Sequence, residues 1–287
     1  MANGIFAGLA TIDLVYAVDA FPAPNSKVAA RRQQIFAGGP ATNAAIAFAH
    51  LGGGTTLAAA VGRHPLAALI REELARFAIR LVDLTPAFDQ PPAISSVSVN
   101  PAGERNVVSA NAARTGAPST EVDQAALSAA DILMVDGHSM PACQAWARAA
   151  RARGIPVVLD GGSWKAGTEE LLENVDYAIC SADFRPPGCH SLDEVVGYLQ
   201  SRAVPAIAVT NGPGPIRHVY ERASGFVPVP AVEPVDTMGA GDIFHGGFCF
   251  YLASGLSFHQ ALAGAARLAA HSCRFSGPRA WMAHLPE

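Results

Sequence analysis

Charged side chains are scarce in this chain. They make up 15% of its 287 residues, against 50% hydrophobic residues, and so apolar a composition excludes a disordered chain. A basic surplus is missing too. Twenty Lys and Arg stand against 24 Asp and Glu, a formal net charge of −4, which leaves no footprint for nucleic acid, and no Lys/Arg cluster points to a membrane surface. No stretch of about 18 uncharged apolar residues occurs, so no membrane span is expected. Segment 1–21 is apolar, but it lacks a basic start and Asp13 interrupts it, so it does not read as a secretion signal. The five cysteines, at 143, 180, 189, 249 and 273, form no C-x-x-C pair and read as reduced, mostly buried thiols of a cytoplasmic protein. No G-x-G-x-x-G follows the first apolar run, which argues against a dinucleotide-binding dehydrogenase. The nine histidines show no H-E-x-x-H spacing, which argues against a dedicated zinc site.

What is present is an alternation. "GIFAGL" (4–9), "TTLAAAVG" (55–62), "DILMVDG" (131–137), "IPVVLDGG" (155–162), "VDYAICS" (175–181) and "PAIAVTNG" (205–212) are short apolar runs that read as buried strands. Between them, 40–51, 65–79, 141–154 and 192–201 carry helical spacing, with Pro40 in a first turn and Gly154 as a stop. Strands alternating with helices imply right-handed β-α-β units on a mostly parallel sheet. Several strands end in a polar residue plus glycine: Asp136-Gly137, Asp160-Gly161, Asn211-Gly212. In open α/β sheets the site lies outside such carboxyl ends.

Two segments break the rhythm. "KVAARRQQIF" (27–36) alternates loosely, and "AISSVSVN-PAG-ERNVVSA" (93–110) reads as a hairpin turning at Pro-Ala-Gly. They have no helices of their own and read as a small sheet set apart, a lid formed by about 12–36 and 93–110.

The stretch "DTMGAGDIFHGGF" (236–248) carries the chemistry. Prolines at 228, 230 and 234 forbid a helix before it, whereas 242–255 can be helical. Gly239-Ala240-Gly241 then sits at a helix N-terminus, where the first N–H groups lack partners and the dipole is positive. Glycine lets those groups approach a phosphate closely. Asp242 falls beside whatever anion binds; an ordinary N-cap aspartate also suits this place.

The spacing Asp236-Thr237-x-Gly239-Ala240-Gly241-Asp242 resembles the signature of the ribokinase-like (PfkB) carbohydrate kinases. The resemblance runs along nearly the whole chain. "GLATIDLVYAVDAFP" resembles the family's first strand, whose aspartate, here Asp13, binds sugar hydroxyls. "AGGPATNAAIAFAHLG" (37–52) resembles its first glycine motif, with Gly38, Gly39 and Asn43 toward the sugar. "VTNG" (209–212) resembles the nucleotide-phosphate strand, and "SGPRAWMAHLP" (276–286) the segment near the adenine and the monovalent-cation site. The resemblance implies a single domain, 1–287, with a three-layer α/β/α fold, a mostly parallel central sheet and a β-sheet lid. It implies ATP-dependent phosphorylation of a sugar hydroxyl with Mg²⁺ and a monovalent cation such as K⁺. Asp242, Gly239, Ala240 and Gly241 fall to catalysis; Thr210, Gly212, Thr237 and Gly277 fall to the nucleotide. His138, after a strand tip, joins the sugar residues as a candidate.

Departures mark a branch. Where the family usually shows Asn-x-x-Glu to organise magnesium, Ser181-Ala182-Asp183-Phe184 stands here, and no metal ligand is assigned. Similar departures, with "PVVLDGG" and "GAGDIFHGGF", mark ketohexokinase-like and sulfofructose-kinase-like members, which favours a ketose. A nucleoside kinase on the same fold and a non-catalytic sugar-binding regulator are the alternatives. Family members resembling this chain often dimerise through their lids, so a lid-to-lid homodimer is expected, with Val97, Val99 and Val107 as candidates for the outer face.

Overall fold

The computed structural model describes residues 1–110, 118–221 and 223–284. The first third holds β1 (Asn3–Gly8), β2 (Thr11–Ala17), β3 (Arg32–Gly38), α1 (Pro40–His50), β4 (Gly54–Ala59), α2 (Ala67–Arg76), β5 (Arg80–Asp83), β6 (Ile94–Val99) and β7 (Arg105–Ser109). Then follow α3 (Gln124–Ala129), β8 (Ile132–Val135), α4 (Met140–Arg151), β9 (Val157–Gly161), α5 (Thr168–Leu172), β10 (Tyr177–Ser181), α6 (Leu192–Ser201) and β11 (Ala206–Asn211). The chain closes with β12 (Gly214–Tyr220), β13 (Ala223–Val227), α7 (Ala240–Ala253) and α8 (Phe258–Ser272).

The large sheet runs β13-β12-β11-β10-β9-β8-β1-β4-β5. From β11 to β5 every pairing is parallel, and β12 and β13 add an antiparallel edge. Strand residues alternate between two cores, as a period of two requires. Phe6, Met134, Ile179 and Ala208 face the layer of α1, α7 and α8. Ile5, Val135, Cys180 and Val209 face the layer of α4 and α6. The expected three-layer fold is thus the one observed. Among the described residues no helix is long and apolar enough to cross a membrane.

Gly246 and Gly247, which weaken α7 as an isolated helix, serve packing. A Cβ on Gly246 would stand 2.3 Å from the Ala44 carbonyl oxygen of α1, so only glycine lets the two helices come this close. Helix α8 escaped the sequence reading, although its capping box, Ser257 with Gln260, is a start signal. The antiparallel edge and the short β5, α3 and α5 were also missed.

The small sheet runs β3-β2-β6-β7. Its hairpin turns where predicted, because the Asn100 side chain accepts from the Ala102 and Glu104 N–H groups, each at 3.0 Å. Asp13 stands on β2, within the expected lid segment, since the chain leaves the large sheet at Leu9-Ala10. One expectation is corrected here: Val97 and Val107 are not on the outer face but share a row with Val15, on the face of Asp13, Ser95 and Phe36, and Val99 lies on that face too. Val97 is only 5% exposed. The opposite face carries the row Ile35, Leu14, Ser96, Val108, with Ile35 46% and Val108 75% exposed. Pairing with β2 decides the face, and a shift by one residue would invert it.

Candidate active site

After β1 the chain runs outward to β4 and β5; it later returns to β8 on the other flank of β1 and continues to β11. In open α/β sheets the site lies outside the carboxyl ends of the strands at such a switch point. There the Asp136 carboxylate accepts from Leu9 N–H at 2.8 Å, Ala41 N–H at 3.1 Å and His138 N–H at 2.9 Å. Ala41 lies in the first turn of α1, where negative charge is favoured. Asp136 therefore joins β1, α1 and β8, a role visible in sequence only as a polar strand tip.

Asn43, on the next turn of α1, donates from Nδ2 to Asp242 Oδ2 at 2.7 Å. This bond unites the two glycine motifs across 199 positions. Asn43 Oδ1 is buried with no hydrogen-bond partner among the described residues.

Asp13 is 8% exposed and accepts from Thr11 Oγ1 at 2.7 Å. Burial pushes its carboxyl up from the ordinary aspartate range, while the Thr11 and Ser95 hydroxyls draw it down. Its carboxylate lies on the backbone of Gly38, where a Cβ would come within 1.9 Å of Oδ2. Glycine at 38 is thus a condition for placing Asp13.

Gly239 enters α7 in the left-handed region at φ 71°. Ala240 N–H is directed back to the Thr237 carbonyl at 3.3 Å, so it is not among the N–H groups left free at the start of α7. Asp242 is half-buried. Its carboxyl is pushed up to about 7, first by burial and then by the negative Asp160, with Asp13 adding to the push; the Asn43 hydrogen bond and His245 draw it back. Asp160 was visible in the sequence only as a polar strand tip, and His245 was given no role of its own.

The remaining predicted residues stand on strand ends and on the turns that flank α7. Asp236 accepts from Met238 N–H at 2.9 Å and from Gly277 N–H at 2.8 Å, which fixes the Thr237 turn to the C-terminal segment. A Cβ on Gly277 would lie 3.4 Å from the Phe36 ring of the lid. Residues 285 and 286 of that segment lie outside the described residues. Glu73 of α2 and Arg279 form a buried pair, Nε to Oε1 at 2.8 Å, and grip the lid strand from both sides: Glu73 accepts Ala37 N–H, and Arg279 donates to Ala37 C=O at 2.7 Å. Thr210 and Gly212 stand at the end of β11, with Thr210 Oγ1 3.4 Å from Cys180 C=O. His138 lies close enough to Asp160 to favour its charged form.

Segment 181–184 does not fit a magnesium-organising motif. Ser181 Oγ donates to Gly162 C=O at 2.8 Å, Phe184 is buried against Trp164, and Asp183 is exposed. Among the described residues no group of three His, Cys, Asp or Glu side chains is placed to hold a metal.

A scaffold of this kind, with an aspartate at a glycine-rich helix N-terminus under a β-sheet lid, is that of a phosphotransferase. Residues 1–284 match the pfkB family carbohydrate kinases, and the chain belongs to that family: it is an ATP-dependent carbohydrate kinase. It is 22% identical to the ribokinase of Haemophilus influenzae over 265 residues, 89% of this chain and 87% of the relative. The ribokinase of Thermotoga maritima has the same fold, with TM-score 0.82 and 21% identity over 98% of this chain and 96% of the other. So does Arabidopsis thaliana ribokinase, solved with ribose and ATP, with TM-score 0.76 and 20% identity over 96% and 94%.

Proposed function

We propose that this enzyme transfers the γ-phosphoryl group of ATP to a hydroxyl of a small sugar, a ketose in the first instance, with Asp242 as the base. The observation that carries this reading is the Asn43–Asp242 hydrogen bond, which sets a carboxyl titrating near 7 beside the N–H groups that open α7. A general base works best when its pKa lies near the operating pH.

The sugar lies under the lid. Asp13 accepts from its hydroxyls, and Asn43 Oδ1 accepts from another. The attacking hydroxyl gives its proton to Asp242 as its oxygen bonds to phosphorus and the bond to the ADP oxygen breaks. Gly241 and Asp242 N–H face the charge spread over the phosphoryl oxygens. Thr237, Thr210, Gly212 and Gly277 line the path of the nucleotide. The lid keeps out water, which would compete as acceptor. The family likeness brings Mg²⁺ and a monovalent cation such as K⁺ with the ATP; no step above depends on either, and turnover with and without each tests both.

The ketose reading rests on Ser181–Phe184 and on the branch-like segments 156–162 and 239–248. A nucleoside acceptor is the second reading, favoured by one observation: Phe36 pairs with Asp13 on the lid, beside the site, with the Arg279 guanidinium 6.0 Å from its ring centre. We also infer a homodimer joined lid to lid through Ile35 and Val108. An ADP-release screen of ketohexoses, aldopentoses and nucleosides with ATP tests the acceptor. Turnover confined to ketoses is expected. Turnover with nucleosides alone would replace the first reading by the second, and sugar-dependent thermal stabilisation without ADP release would mean a non-catalytic binder.

A further inference from the structure

The mechanism leaves one buried group unused. His245 stands on α7 about one turn beyond Asp242 and is 6% exposed. Its Nδ1 lies 2.7 Å from the Gly241 carbonyl oxygen and 3.6 Å from Asp160 Oδ2, and its Nε2 lies 3.2 Å from the Ile179 carbonyl oxygen. All three neighbours are acceptors. A neutral imidazole has one N–H and one lone pair, so either neutral tautomer turns a lone pair onto an oxygen. With both nitrogens protonated, the ring donates to the two carbonyl oxygens and places a positive charge 3.6 Å from Asp160 Oδ2, between the ends of β9 and β10.

That charge bears on the base. Asp160, 6% exposed at the end of β9, is the stronger of two negative neighbours of Asp242, ahead of Asp13. The other titratable groups that face this pair are Asp136 and His138 from the end of β8, Lys165 from the loop after β9, and the thiols of Cys180 and Cys249.

We propose that His245 is a positioning residue for the base: as an imidazolium it keeps Asp160 ionised, ties the first turn of α7 to two strand ends, and sets the pH at which Asp242 can accept a proton. The inference rests on Asp242 as the base. Its sign follows from charge. Without the imidazolium, an uncompensated Asp160 makes Asp242 hold its proton to higher pH; without the Asp160 charge, Asp242 releases it at lower pH.

The test is the acid limb of kcat/KM against pH, which reports the free enzyme's base. In His245→Gln the limb should move up by about half a pH unit or more. In Asp160→Asn it should move down, and the double variant should return close to the native position. A merely structural His245 would lower the melting temperature and leave the limb in place, which would overturn the proposal. If a variant does not fold, nitrogen-15 NMR of the native protein decides. Protons on both His245 ring nitrogens at neutral pH support the proposal, and a single N–H there refutes it. Asp242→Asn separates the two readings: wild-type turnover in that variant sinks the base assignment itself, whereas an inactive Asp242→Asn with unmoved limbs in the other variants sinks only the role of His245.

Discussion

Asp242→Asn should destroy activity and stabilise the fold at the same time. The substitution keeps shape, and the new amide oxygen can still accept from Asn43 Nδ2, now 2.7 Å from Asp242 Oδ2. Without a base, kcat should fall by about 10²- to 10⁴-fold. Stability moves the other way. In the unfolded chain this carboxyl ionises at its ordinary 3.8, but in the folded protein only near 7. Between those values the native state holds a proton that the unfolded state has lost, so folding stability falls as pH rises through the window and the full penalty remains above it. The displacement corresponds to about 4 kcal/mol. Water at the half-exposed rim reduces the realised penalty, and about 2 kcal/mol is a fair expectation. Relief of that penalty should raise the melting temperature at pH 8 by about 4–8 °C, with the gain shrinking toward pH 4. Paired measurements decide it: steady-state turnover, and thermal unfolding at pH 4, 6 and 8. Wild-type turnover would refute the base. A stability gain that is absent at pH 8, or larger at pH 4, would refute the buried, proton-holding carboxyl.

Three further outcomes are expected. Asp13→Ala should weaken binding of the true sugar by about 1–3 kcal/mol, roughly fivefold to 150-fold, because sugar hydroxyls lose a charged acceptor; unchanged affinity in calorimetric titration would return Asp13 to a structural role. Arg279→Met should cost about 3–5 kcal/mol in urea unfolding, since Glu73, 13% exposed, is left as a buried anion without its cation. Adding Glu73→Gln should recover most of that loss, and a single variant as stable as wild type would contradict the grip on Ala37. Sedimentation at micromolar concentration should give a dimer that Val108→Asp and Ile35→Asp dissociate; a monomeric native protein, or a dimer indifferent to both changes, would rule out the lid-to-lid arrangement.

Local chemistry was enough for the parallel core strands other than β5 and for α1, α2, α4, α6 and α7, but not for α8, the short β5, α3 and α5 or the antiparallel edge. Apolar runs of four to six residues, proline at 40 and glycine at 154 are signals within one turn of their effects, and so are Gly239–Asp242 at the start of α7. The hairpin at 100–103 was legible because its turn is made by neighbours in sequence. The site drew on this only in part. Asp242, Asn43, Gly38 and Asp13 were found because they sit in motifs, yet their meeting depends on the order of strands in the sheet. Asp136 and Asp160 showed in the sequence only as polar strand tips, and His245 sits in a run with no role legible from its local pattern. Strand order brings the first two to neighbouring strand ends and turns the third back onto the Ile179 carbonyl oxygen, 66 positions away. The face of the lid was likewise undecidable from alternation: Val97 and Val108 are both alternating valines, and only pairing with β2 sends one beside Asp13 and the other to solvent. Periodicity is a short-range property of the backbone, so it dictates which residues share a side of one element. Which side meets which is settled by long-range pairing and burial, where the carboxylates acquire the neighbours that shift their charge.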